Sequence, residues 1–268
     1  MWLSKRAKPK NTKTQGEKMS AQPKKWEEYT HEERKESFNN YAKYNIIQAI
    51  KSKSAPWLEA KNAKELQHTR PFNAQTGRPY EGLNAILLES KQKELGYENG
   101  SWITAKQANF LGAKLTGEQL KQMQGVKISY IKTKEATKVL DKKGSPKTKP
   151  QVDKNGNTKI NPKTNKPYYD FVYDIKELPA PILETTTLYH TSQIPSLDKS
   201  RLKELDLSLN EPKDITTNYL KGIGLTEHTQ KQISNYLQAQ AGLEQYRPLP
   251  KPQPDISHNK SQESAMQR

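Results

Sequence analysis

Between residues 38 and 50 the positions Phe38, Tyr41, Ala42, Ile46, Ala49 and Ile50 recur at helical spacing, with Lys and Glu filling the rest. One apolar stripe on an otherwise charged surface predicts an amphipathic helix. Thr30-His31-Glu32-Glu33 stands ahead of it with the spacing of a capping box, and Pro56 sets its limit. A second helical pattern covers Gly82 to Leu95, with Leu83, Ile86, Leu87 and Leu95 near one face and Gly96 placed as its cap. Thr104 is set to cap a short helix from Ala105 to Leu111, ended by Gly112. The period then drops to two over Val126–Lys132, which predicts a strand. Tyr168–Ile175 reads as a second strand. It is predicted to pair antiparallel with 126–132, leaving 141–167, with its Asn155-Gly156 turn signal, as an excursion at the tip of a β-ribbon. After Pro179 the pattern weakens. It returns as a helix between Asp214 and Ala241, carried by Tyr219, Leu220, Ile223, Ile233, Tyr236 and Leu237. The fold class predicted is α+β, with several helices packed on a small antiparallel ribbon or sheet.

The flanks read differently. Residues 1–29 are rich in Lys, Pro and Gln and are expected to form a disordered basic arm; residues 247–268 are expected to be a disordered polar tail. Between them the pattern divides the chain into a domain at 30–180, containing the Lys-rich insert at 141–167, and a weakly packed extension at 181–246. Composition limits the core: apolar residues are 32% and charged residues 28% of the 268. The net charge is +16, yet residues 171–268 hold 11 basic and 12 acidic side chains, so the excess lies in the first two thirds. A field of that sign attracts polyanions; a plain solubility device fits the charge equally well. There is no cysteine, which excludes disulfides, Cys-ligated zinc and a thiol nucleophile. The longest apolar run, Leu83–Leu88, is far short of the ~20 residues that span a membrane. Met1–Arg6 lacks the apolar core of a secretory signal, so a cytoplasmic location is expected.

Catalysis finds little support. No Ser/His/Asp arrangement or Gly-rich phosphate loop can be assembled, and Glu27-Glu28 and Glu32-Glu33 fall on solvated text. No cofactor is expected. Binding a single strand asks for flat side chains to stack bases and cations to track phosphates, each stacked base contributing ~1–3 kcal/mol. Trp57, Tyr80, Trp102 and Tyr130 are interleaved with Arg70, Arg78, Lys106, Lys127 and Lys132. Asn73, Asn84 and Gln107 are candidates for base edges or phosphates, and Thr76 and Thr104 belong to the same segments. Other readings stand beside these. In a chain poor in large apolar groups, Trp57 and Trp102 suit the core better than a stacking platform; Asn84 is equally placed to satisfy nearby backbone; Gly77 and Gly82 are backbone devices. Asn73–Tyr80 and Asn161–Tyr168 echo each other, each with Gly or Asn followed by a cation, Pro and Tyr. They are either a recurring turn or two presentations of a cation and an aromatic.

Three segments carry a resemblance. They are Pro56-Trp57; the run Asn73-Ala74-Gln75-Thr76-Gly77-Arg78-Pro79-Tyr80-Glu81-Gly82-Leu83-Asn84; and Trp102-Ile103-Thr104-Ala105-Lys106-Gln107. In that order they resemble the N-terminal domain of ArdC-type antirestriction proteins, with its Pro-Trp, its Asn-x-x-Thr-Gly-x-x-Tyr-x-Gly-x-Asn signature and its Trp-x-Thr-x-x-Gln. The resemblance implies a single-stranded DNA-binding domain from a plasmid or other mobile element, with RNA left open as the strand. A second reading makes the domain a scaffold, an interaction protein whose C-terminal helix at 214–241 docks a replication or DNA-transfer (conjugation) enzyme as partner. The segment 117–125 is longer than the turn the family has there, and the family's next strand landmark is placed at Asp170–Asp174. Full-length members continue into a metalloprotease with His-Glu-x-x-His on a helix. The five histidines, His31, His68, His190, His228 and His258, include no pair four residues apart, so no zinc site is expected.

Overall fold

Thr30 starts the first long helix as its spacing predicts. Its hydroxyl accepts the Glu33 amide at 3.2 Å, and the Glu33 carboxylate accepts the Thr30 amide at 2.6 Å. The Lys24 ammonium beside it and that amide hold the Glu33 carboxyl down at about 2. The computed structural model describes residues 24–153, 156–161, 164–209 and 218–252, and most of the notional arm at 1–29 and tail at 247–268 lie outside them. Residues 24–29 are described and dock on the body. Trp26–Glu28 form a short turn, the Trp26 indole donates to Glu184 at 3.0 Å, and the Arg34 guanidinium pairs with the same carboxylate.

Helix α1 (His31–Lys51) buries Phe38, Ala42, Ile46 and Ala49. It is followed by α2 (Ala63–Thr69), β1 (Phe72–Asn73), α3 (Gly82–Glu94), β2 (Ser101–Thr104), α4 (Ala105–Phe110) and α5 (Gly117–Gln122). Then come β3 (Val126–Lys138), β4 (Thr148–Pro150), β5 (Tyr169–Phe171), β6 (Tyr173–His190), α6 (Asn218–Lys221) and α7 (Glu227–Gly242). The main sheet has the order β1-β2-β6-β3, with β1 and β2 parallel and the other pairs antiparallel; β4 and β5 pair separately. The architecture is the α+β fold expected. No helix among the described residues is long and apolar enough to cross a membrane.

The partner of 126–132 is not 168–175. Val126 lies opposite Leu188 and Lys132 opposite Ile182, so the sheet is closed by the far half of β6; its near half, Tyr173–Glu177, meets Lys134–Lys138. The reason is burial. Leu183 and Leu188 are covered by α1 and α3, whereas Tyr169, Phe171 and Tyr173 are exposed. The run Thr185-Thr186-Thr187 hid this strand because threonine reads as polar while its branched β-carbon favours extended backbone. The strand landmark placed at 170–174 therefore lies in the ribbon, and the expected boundary at residue 180 falls inside β6.

The segment read as a weakly packed extension is part of the core. Leu220, Ile233, Tyr236, Leu237 and Tyr246 are buried with Trp57, Leu66, Ala85 and Ile86. The helix expected over 214–241 is two helices among the described residues, separated by Gly224 in the left-handed region and restarted by the Thr226 cap. The apolar stripe of α7 faces inward, so it is not a docking face for a partner. A buried polar knot fixes α7 to α3. Glu89 accepts from Lys61 at 2.6 Å, from Thr69 at 2.7 Å and from Gln240 at 3.0 Å, and Tyr236 donates to it as well.

The opposite face of the sheet packs Ile103, Ala108, Leu111, Ile194 and Leu197. From there residues 203–206 return to clasp the 73–80 loop: Lys203 N donates to Ala74 O at 2.8 Å and Asp206 N to Gly77 O at 2.9 Å. Gly77 sits at φ +79°, where a Cβ would stand 2.6 Å from the Glu204 carbonyl oxygen.

Two stability predictions follow from these contacts. Gly77→Ala combines positive φ with a backbone collision, whereas Gly112→Ala, at φ +100° with open space around it, carries the φ strain alone, ~1 kcal/mol. Thermal melts should show the larger loss for Gly77→Ala; equal shifts would count against the clasp. Glu89→Ala leaves the Lys61 ammonium buried without its counter-charge, held only by the hydroxyls of Thr69 and Tyr236, and removes the acceptor of Tyr236 and Gln240. It should cost ~3–5 kcal/mol in urea unfolding, while Lys35→Ala, from an exposed pair with Glu32, should change stability by less than about 0.5 kcal/mol.

Candidate nucleic-acid interface

The loop after β1 is built by its own polar side chains. Asn73 Oδ1 accepts the amides of Gln75 at 3.0 Å and Thr76 at 3.1 Å, and Thr76 Oγ1 accepts the Arg78 amide at 3.3 Å. Asn73 Nδ2 donates to the Tyr80 hydroxyl at 3.1 Å and to Gln107 Oε1 at 3.4 Å. Gln107 is in turn fixed by the capping box with Thr104 at the start of α4. Folded this way, the loop leaves Arg78 exposed at its tip and turns the Tyr80 ring partly inward against Leu83 and the cores. Burial pushes the Tyr80 hydroxyl up to about 12, so it stays a neutral hydrogen-bonding group.

The facing wall is the free edge of β3. Asn84, in the first turn of α3, donates to Ser129 O at 2.7 Å and accepts Ser129 N at 3.1 Å. Lys127 N donates to the Tyr41 hydroxyl at 3.1 Å, with the Lys127 ammonium 5.5 Å from that ring. Between the walls lies a groove of about 440 Å³ lined by Arg78, Tyr80, Glu81, Asn84, Tyr130 and Leu209. Tyr130 is 48% exposed. A smaller apolar depression of about 260 Å³ adjoins it, sharing Glu81, Asn84 and Ser129 and floored by Phe38, Leu83 and Leu183.

The candidates named from sequence thus separate into three groups. Arg78, Tyr80, Asn84 and Tyr130 meet at one groove. Lys106, Lys127 and Lys132 lie outside it: Lys106 and Lys127 are exposed, and Lys132 is half-buried and paired with Glu135 at 3.4 Å. Asn73, Thr76, Thr104 and Gln107 brace the loop. Trp57, Arg70 and Trp102 are core and offer no platform. Both tryptophans are fully buried, and the Arg70 guanidinium, 2% exposed, donates to Gln240 O at 3.1 Å. Burial lowers the Arg70 pKa, opposed by Glu81 and Glu89. Tryptophan carries the largest apolar area, and a chain with few such groups places it in the core. Sequence reading missed Leu209 and Glu81 in the groove, which only the tertiary fold brings there. It also missed the exposed rings of Tyr169, Phe171 and Tyr173, whereas Tyr168 is raised by the echo of the 73–80 turn. Their signal was aromatic density next to a lysine run with no apolar segment free to cover it.

Among the described residues no group of three or more His, Cys, Asp or Glu is placed to hold a metal ion. Residues 36–168 match the family model described as the N-terminal domain of anti-restriction factor ArdC. Two DNA primase TraC proteins of Escherichia coli are similar in part. One is 32% identical over 114 residues, 42% of this chain and 7% of that protein. The other is 29% identical over 172 residues, 63% of this chain and 14% of that protein. The chain therefore spans a small fraction of these relatives. The metal-free crystal structure of the antirestriction ArdC protein from the R388 plasmid aligns with 61% of this chain and 43% of that chain, at 19% identity and a TM-score of 0.33. The three segments that carried the resemblance lie within the matched span, and residues 36–168 are an ArdC-type N-terminal domain.

Proposed function

We propose that this chain binds single-stranded DNA in the groove between the 76–84 loop and β3, and that it does so without catalysis. The observation that carries the reading is the pairing of an exposed cation, Arg78, with a half-exposed ring, Tyr130, in one groove. A ring accepts the face of any base, and an arginine fork accepts phosphate oxygens. Glu81 inside the groove repels phosphate from its floor. The strand then runs with its backbone along the Arg78 rim and its bases turned toward Tyr130 and Leu209. Duplex, whose bases are already stacked, gains less. Lys106, Lys127 and Lys132 add the long-range field that brings the strand in. The matched domain is named for an anti-restriction factor and the partial relatives are named DNA primases, and both names fit a DNA ligand. Protecting or coating such DNA is the role that fits best.

Fluorescence anisotropy with labelled single-stranded DNA, single-stranded RNA and duplex, at two salt concentrations, tests this. Arg78→Ala should weaken binding for all sequences and reduce the salt slope by about one phosphate contact. Tyr130→Ala should weaken it about 5- to 150-fold with the slope unchanged, the range set by ~1–3 kcal/mol per stacked base, and Tyr130→Phe should retain it. Tighter binding to duplex, or a double variant that binds like the parent, would overturn the proposal.

A further inference from the structure

Eight of the fifteen large apolar side chains that stand exposed among the described residues fall between 140 and 175. They belong to an arm with no core. Its spine is one extended stretch, from Lys166 into β6, whose hydrogen-bonded partner changes twice. Val139, Lys147 and Val172 bond head to tail in a closed triad, as do Gln151, Lys159 and Tyr168, and a tight turn branches off at each. Every turn repeats the device that builds the 73–80 loop. An Asp or Asn opens it and a left-handed residue follows, Gly144, Gly156 and Asn165 here as Gly77 there. The ends close in a β-bridge: Leu140–Pro146, Val152–Thr158, Ile160–Pro167 and Phe72–Pro79. Asp141 and Asp153 spend their Oδ1 atoms on turn amides.

Along the spine Tyr169, Phe171, Tyr173 and Ile175 recur at every second residue, exposed by 56%, 44%, 45% and 62%. Alternate residues of extended chain share a face, so these form a ladder with rungs ~7 Å apart. That gap admits a flat base between successive rings. Lysines surround it. Lys142, Lys143, Lys147, Lys149, Lys159 and Lys166 are all exposed, and the Lys138 ammonium lies 3.9 Å from the Phe171 ring centroid.

We infer that this arm is a second contact for the single strand, engaging bases on the Tyr169–Phe171–Tyr173 ladder and phosphates on its lysines. The inference rests on the proposed function and extends it to a two-point grip. Charge decides the occupant: a second copy would bring like-charged lysines against these, whereas a polyanion is complementary to them. Tyr173 lies opposite Lys138, eight residues beyond Tyr130 on β3, roughly 27 Å along the strand. A stacked strand rising ~3.4 Å per nucleotide needs about eight nucleotides to cross that gap. A six-nucleotide oligomer therefore fills one contact, and a 24-nucleotide oligomer reaches both.

The experiment measures binding of dT6 and dT24 to the full chain by anisotropy, with light scattering and a thermal melt on each variant. Tyr169→Ser/Phe171→Ser/Tyr173→Ser should weaken dT24 binding at least about tenfold, leave dT6 binding unchanged, and melt like the parent because none of these rings packs in a core. Arg78→Ala/Tyr130→Ala should weaken both oligomers. A triple variant that binds dT24 as tightly as the parent overturns the arm while leaving the groove standing. A triple variant that loses dT24 beside a groove variant that keeps it overturns the groove and supports the arm. A shift from dimer to monomer in the triple variant, with dT24 binding intact, assigns the arm to self-association instead, and a parent that binds neither oligomer overturns both readings.

Discussion

The side-chain amide of Asn84 is matched to both backbone groups of Ser129, and the groove depends on that match. β3 is the edge of the sheet, so Ser129 N and O point away from β6 toward α3. An edge left open there would place an unpaired donor and acceptor against helix, at ~1–3 kcal/mol for each unsatisfied group. Asn84 supplies an acceptor at 3.1 Å and a donor at 2.7 Å, as a neighbouring strand would. Tyr41 does the same for the Lys127 amide with its hydroxyl. These contacts fix the distance between α3 and β3, and hence the separation of the loop that carries Arg78 from the strand that carries Tyr130. They also blunt the edge against pairing with another chain.

The loop itself obeys a related logic. Asn73 holds two amides with its oxygen and reaches Tyr80 and Gln107 with its nitrogen. Gly77 lets residues 203–206 close over the turn. Four of the signature positions, Asn73, Thr76, Gly77 and Asn84, therefore shape backbone, and Arg78, between them, stands exposed at the tip. A signature rich in Asn, Thr and Gly reads at first as a set of ligand contacts. In this fold it is chiefly a set of instructions for one turn and one strand edge.

Helix starts were legible because capping is local. Thr30, Thr104 and the apolar stripe of α1 are decided within a few residues, and the structure follows them. Strand pairing was not legible, because it is decided by what covers each face. Two stretches competed for 126–132. The aromatic one at 168–175 had the stronger pattern, yet Leu183 and Leu188 had the helices above them. The destination of the C-terminal helix was illegible for the same reason: an apolar stripe says that something covers it and not what. The groove was half legible. Arg78, Tyr80, Asn84 and Tyr130 were named from residue type and motif, while Leu209 arrives from a segment 79 residues away from Tyr130 in sequence.

The chain's poverty in apolar residues explains where its aromatics went. Trp57 and Trp102 bring the largest apolar area to cores that have few other large groups. With the cores filled by these, by Leu and Ile, and by Phe38, Tyr236 and Tyr246, other Tyr and Phe side chains remained for the surface. Tyrosine suits that place, since its ring is apolar and its hydroxyl stays hydrated. An arm that exposes rings at every second residue gains nothing in folding from them, and a ribbon of that kind is marginal on its own. Its stability must come from the Asx-opened turns, the closed hydrogen-bond triads and whatever lies on the rings. Such an arm is better suited to bending around a flexible strand than to presenting a rigid surface, and the rigid half of the grip is the groove that Asn84 holds open.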